Sequence, residues 1–90
     1  MADAASEALT ATLALLATRA PGATICPSEV ARVLADAGAP SEKTDWRAMI
    51  PTVHAAIDAL LASGEVHLSW KGEVLPSRSG PYRINRGPAA

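Results

Sequence analysis

Three side chains in this sequence are of types that do nucleophilic or acid–base chemistry near neutral pH: Cys26, His54 and His67. Cys26 is the only cysteine. It lies in the stretch TICPSEV, residues 24–30, directly before Pro27 and three residues before Glu29. A thiol at a helix start has its pKa lowered by the helix dipole and can serve as a nucleophile or redox centre. A nucleophile also needs a base, and the sequence spacing brings neither histidine near Cys26. The same residues read as a capping box: Cys26 at the N-cap, Pro27 at the first helical position, where its missing N–H costs nothing, and Glu29 at the third. Sulfur is a weaker acceptor than oxygen, so Glu29 reaching back to the Cys26 amide is expected to support the cap. A redox or enzymatic role at Cys26 is the distant alternative.

Other chemistry finds no residues to carry it. A single cysteine cannot close an internal disulfide, and no Cys-x-x-Cys pair or Cys and His cluster is spaced for zinc. The phosphate-binding pattern GxxxxGK is missing, as is a carboxylate pair with separable acid and base roles. The expectation is a non-enzyme with no cofactor, no metal and no evident small-molecule substrate.

Ninety residues make one small domain, without room for separate substrate and cofactor units. Hydrophobic residues form 49% of the chain, but nearly half of them are alanine, Phe is absent and there are only two Trp and one Tyr. Leu, Ile, Val and the tryptophans must therefore make the core. Asp3 and Glu7 stand where a signal peptide would carry Lys or Arg, and no apolar run approaches a membrane span. The chain is expected to be cytoplasmic, and its wealth of Ala, Pro, Gly and Arg suggests a GC-rich bacterial genome. The net charge is −1, unevenly spread: residues 1–45 hold six carboxylates against three cations, and residues 66–90 hold Lys71, Arg78, Arg83 and Arg86 against Glu73. That basic C-terminal part points to an anionic partner, or to an ordinary solvated surface.

The elements that must position these residues follow from periodicity. Leu9, Leu13 and Leu16 mark one face of a helix over about residues 3–19, stopped by Ala20-Pro-Gly22. Residues 23–25 are a short β-leaning connection. A second helix runs from Pro27 to about Ala37, with Val30, Val33 and Leu34 inward and Gly38 as its stop, before the polar loop GAPSEKT. Trp46, Met49, Ile50, Val53, Ile57, Leu60 and Leu61 form a third apolar stripe, with Thr44 or Asp45 as N-cap, an interruption at Pro51 and an end at Gly64. Val66, Leu68 and Trp70 then alternate with polar residues as a strand, and residues 82–86 alternate again as its antiparallel partner. The stretch between, residues 72–81, holds two Gly and two Pro and is expected to be irregular.

Helix, strand, helix, helix, strand, strand is the order of a winged helix: three helices around one core, closed by a C-terminal β-hairpin wing. The predicted class is α+β, mainly α, over residues 1–90 as a single domain, with order from about residue 4 to 86. In such a fold the third helix can enter a DNA groove, where Arg47, Thr52 and His54 would face bases or phosphates. Asp58 shares that face and would repel phosphate. Lys71, Arg78, Arg83 and Arg86 would meet phosphates from the wing.

ICPSEVAR at 25–32, WRAMIPTVHAA at 46–56, the glycine that follows Leu60 and Leu61, and the late KGEV and GPYRI segments carry a resemblance. Over roughly residues 9–86 the chain resembles a small bacterial family catalogued as domain of unknown function 3253, with ICPSEVAR the most specific part. The resemblance implies a winged-helix-like fold without an established activity. Two positions depart from the family pattern: His54 stands where arginine is expected, and Leu75 precedes Pro76 where aspartate is expected. The first weakens a DNA-reading helix, and the second any role built on an acidic wing residue. The leading expectation is a nucleic-acid-binding or transcription-associated module acting on double-stranded DNA. The alternative is a protein-interaction module, with a partner protein or a second copy, presenting an alanine-rich helix face or the Trp70 strand.

Overall fold

The computed structural model describes residues 4–20, 22–36, 45–78 and 80–87. Helix α1 spans Ala4–Ala17, α2 Pro27–Asp36 and α3 Ile50–Ser63, with a single 3-10 turn, Trp46–Met49, leading into α3. Strands β1 (Val66–Trp70), β2 (Glu73–Leu75) and β3 (Arg83–Arg86) follow. The chain is α+β and mainly α, in a winged-helix-like arrangement.

Local chemistry sets most boundaries. Asp45 Oδ1 accepts the Arg47 N–H at 3.1 Å and caps the 3-10 turn. Pro51 falls in the first turn of α3, where a missing donor is tolerated, so the expected interruption is a 3-10 turn followed by an unbroken helix. Gly64, at φ 79°, closes α3 by donating to the Leu60 and Leu61 carbonyls. Gly38, the GAPSEKT loop and Thr44 lie outside the described residues.

Packing revises two sequence assignments. In α1 the fully sealed line is Ala8, Thr12 and Leu16, while Leu9 and Leu13 pack half-buried against the core. Thr12 tolerates complete burial because its hydroxyl donates to the Ala8 carbonyl at 2.8 Å. In α2, Val30, Ala31 and Ala35 face inward with Leu34 half-buried, whereas Val33 is 41% exposed. The small Ala31 takes the inward position beside Val30, and the helical turn carries Val33 off that face.

The sheet differs more. β1 pairs with β3 antiparallel, from Val66 opposite Arg86 to Ser69 opposite Arg83, as the alternation predicts. Residues 72–81 are not wholly irregular, however. Lys71 and Gly72 both take positive φ, 51° and 84°, which is the backbone of a two-residue type I′ hairpin turn. The turn folds β2 back on the free edge of β1, giving the order β2-β1-β3. Ile25 extends the other edge by a reciprocal backbone pair with Ile84, at 2.9 and 2.8 Å. The β-leaning connection expected between the first two helices is thus a single bridged residue, not a strand.

β2 and β3 thus flank β1. Between them in sequence, Arg78 and Tyr82 lie on the α3 side, where they meet Asp58 and His54. The core beneath is centred on Ile25, Val53, Ile57, Leu68 and Ile84, all fully buried. Each such aliphatic residue contributes on the order of 1.5–3 kcal/mol of burial. Trp70 does not close this core. It is 39% exposed at the end of β1.

Candidate functional site

Glu29 completes the cap at Cys26 as the spacing predicts. Its Oε2 accepts the Cys26 backbone N–H at 2.7 Å, and its Oε1 pairs with Arg19 Nη2 at 3.0 Å. The Cys26 N–H, then Arg19, hold the Glu29 carboxyl below its usual 4.5 against the opposing effect of burial. The thiol, half-exposed, accepts the Ser28 hydroxyl at 3.1 Å. His67 is exposed on β1 opposite Asn85. His54 is not remote, contrary to the sequence spacing. It lines one cleft with Cys26, because α3 and the start of α2 meet at the end of the sheet.

The α3 face expected to meet nucleic acid is partly occupied by the protein itself. His54 Nδ1 lies 2.8 Å from the Tyr82 hydroxyl, with the rings tilted and 5.7 Å between centroids. Burial, then the nearby Arg78 charge, lowers His54 from 6.5, while Asp58 acts weakly in the other direction. Tyr82 is buried, and that burial pushes its hydroxyl up to about 12. One helical turn on, Asp58 is gripped by Arg78 through two bonds of 2.9 Å. The Arg78 hydrogen bond holds the Asp58 carboxyl below its usual 3.8. Thr52 is half-buried. The other exposed positions of α3 are Pro51, Ala55, Ala59, Ala62 and Ser63, so α3 itself supplies no cation here and the one cation at this face, Arg78, is paired with Asp58.

The wing cations have partners of their own. Arg83 directs Nε to Thr24 Oγ1 at 3.0 Å and Nη2 to the Thr24 carbonyl at 3.4 Å. Arg86 donates from Nε and Nη2 to the Leu16 carbonyl, at 3.2 and 2.8 Å, and from Nη2 to the Arg19 carbonyl at 3.3 Å. Arg86 therefore reinforces the C-terminal end of α1, where the Leu16 carbonyl also accepts the Arg19 N–H at 3.1 Å. Lys71 is exposed at the β1–β2 turn.

Sequence reasoning missed one charged cluster and one buried hydroxyl. The Arg32 and Arg47 guanidiniums lie 4.9 and 4.6 Å from the centroid of the Trp46 ring, joining α2 to the 3-10 turn. Arg47 also sits 3.5 Å from Asp45. The missed hydroxyl is that of Tyr82, which the sequence shows only as an alternating strand residue. Both arise from contacts across 14 and 28 positions of sequence, where no local pattern signals them. Among the described residues no group of three or more His, Cys, Asp or Glu could hold a metal ion, and no helix is long and apolar enough to cross a membrane.

Fold and surface together define a small winged-helix-like scaffold with a cleft where α2, α3 and the end of the sheet converge. The chain belongs to the family described as Protein of unknown function (DUF3253), whose sequence pattern matches residues 5–87. None of the curated proteins matches it.

Proposed function

We propose that this chain is a protein-interaction module that presents the outward face of α3 to a helix of a partner protein. One observation carries the reading: Pro51, Ala55, Ala59 and Ala62 are exposed on that face and Asp58 is the charge among them, already paired with Arg78. Small side chains let a second helix approach closely, whereas a face whose one cation, Arg78, is already neutralised by Asp58 gains little from phosphate. Arg78, Arg83 and Arg86 are used in holding the fold. No catalytic step is assigned to the chain.

The nucleic-acid reading keeps support at one place. Arg32 and Arg47 are both exposed beside Trp46, at the junction between α2 and α3. Stacking on an indole pre-orders a guanidinium, which then loses less freedom on gripping a phosphate.

The two readings separate cleanly by experiment. Ala59→Arg is expected to abolish co-purification of a protein partner with the tagged chain, or to abolish self-association if the partner is a second copy, without changing the thermal melt. Duplex DNA at low salt is expected to show no titration. Binding to duplex that falls steeply with salt, and that is lost in Arg32→Ala and Arg47→Ala, would instead establish nucleic acid as the partner and remove the first reading.

A further inference from the structure

The cleft that brings Cys26 and His54 together also contains Trp70, Pro81, Tyr82 and Arg83, and encloses about 370 Å³. That volume lies at the small end of the range for ligand pockets, about 300–1,000 Å³, and suits one aromatic ring with a short substituent. Its walls are flat and mostly apolar: an indole, a phenol ring and two proline rings, since Pro27 completes the lining. Trp70 stands at its edge, 39% exposed although it continues the inward row of Val66 and Leu68. A large aromatic left half-open beside a concavity is the kind of surface that ligands cover.

The polar groups of the cleft are few and held in place. Arg83 is fixed by Thr24 through Nε and Nη2, and among the described residues no acceptor engages its Nη1. His54 and Tyr82 share one hydrogen along the 2.8 Å Nδ1 to Oη contact. Both are uncharged near neutral pH, as burial lowers the first and raises the second. Whichever donates to the other, one N–H or O–H of the pair is left over. Among the described residues no carboxylate lines the cleft. A fixed cation, a spare neutral donor and flat apolar walls complement a planar anion.

We propose that this cleft binds a small aromatic carboxylate, its ring against Trp70 and the prolines and its acid group toward Arg83. Another cleft, about 280 Å³ beside Leu13, Leu16, Ala17 and Arg86, lacks this complementarity because among the described residues its lining holds neither an aromatic ring nor a neutral side-chain donor. The site is independent of the α3 outward face, since its lining contains none of Pro51, Ala55, Ala59 or Ala62.

Benzoate titrated into the full chain, followed by amide and indole NMR shifts, tests the assignment. Saturable shifts are expected at Cys26, His54, Tyr82 and the Trp70 indole N–H. Benzoate should bind about tenfold more tightly than benzamide, the size of one hydrogen bond to a charged group, and more tightly than acetate, which lacks the ring that Trp70 and the prolines would cover. Trp70→Ala should abolish the shifts, with a dispersed amide spectrum showing that the variant is still folded. Arg83→Lys should reduce the preference for benzoate over benzamide. Equal affinity for benzoate and benzamide, shifts elsewhere on the surface, or no saturation would each overturn the proposal.

Discussion

The Arg78 guanidinium and the Asp58 carboxylate meet as a two-bond fork, Nε to Oδ1 and Nη2 to Oδ2, both at 2.9 Å. The fork ties Arg78 to α3, beside the His54 contact with Tyr82. Asp58→Asn removes the charge and one good acceptor. Both partners are substantially solvated, so the loss of global stability should stay below about 1 kcal/mol. Amide hydrogen exchange is expected to quicken at Arg78 and Tyr82 and to stay unchanged in the buried turns of α3. Unchanged exchange at Arg78 and Tyr82 would show that the fork does not hold this segment.

Arg86 links the last strand to the first helix across 70 positions, donating to the Leu16 carbonyl. Arg86→Ala should cost about 1–2 kcal/mol, the range of hydrogen bonds to a charged group less the discount for partial exposure. Lysine offers a point charge instead of a fork, so Arg86→Lys should recover only part of that loss. Urea denaturation of the three proteins gives the comparison, and full recovery by lysine would refute a geometric role.

Acid should weaken the fold in two stages. Burial holds His54 below 6.5, so the folded state disfavours its proton; its contribution to stability is complete above pH 6.5 and is lost as pH falls through the folded value. Arg78, Asp58 and Tyr82 are the titratable groups that face it. Glu29 and Asp58 are held below 4.5 and 3.8, so their contributions are present above those values and vanish at lower pH. Melting temperature is therefore expected to be flat from neutrality to about pH 10, above which Tyr82, held above its usual 10.0, begins to lose its contribution, to decline below pH 6.5 and to fall further in strong acid. His54→Gln should remove the first decline and leave the second. A first decline that persists in this variant would place its origin elsewhere.

Gly87 lies where the chain passes the corner between α3 and β1, donating its N–H to the Glu65 carbonyl at 2.9 Å. A Cβ there would run into the Gly64 carbonyl oxygen and stand 2.9 Å from the Glu65 carbonyl carbon and the Val66 nitrogen. Backbone cannot yield as a side-chain tip can. Gly87→Ala should lower stability by about 1–3 kcal/mol, as overpacking does, and should lengthen or break the Gly87 to Glu65 bond. A variant that melts like the parent would show that this corner is free to move.

The turn between β1 and β2 places Lys71 at φ 51°, a conformation that costs an ordinary side chain about 1 kcal/mol and that asparagine adopts readily. Lys71→Asn should raise the melting temperature. A lower value would argue against type I′ geometry.

Much of this protein could be read along the chain, and the residues show why. Cys26, Pro27 and Glu29 lie within one helical turn, so their spacing alone specifies the cap. Gly64 ends α3 and the alternation from Val66 sets β1, because both depend on backbone preferences a few residues long. β2 escaped notice since three residues are too few to show a period, and its signal lies in a turn that places lysine where asparagine is favoured. Val33 turned outward because which of several apolar residues on a helix is sealed depends on what packs against it.

The sequence by itself determined the three helices, the cap, the pairing of β1 with β3 and the supply of cations. Only the tertiary structure decided what those cations do. Arg78, Arg83 and Arg86 find their acceptors on α3, on the connection before α2 and at the end of α1, at separations of 20, 59 and 70 residues. The same closure of the chain brought Cys26, His54 and Tyr82 to one cleft. A hydrogen bond depends on distances of a few ångström, and distances between residues so far apart in sequence exist only once the core has closed.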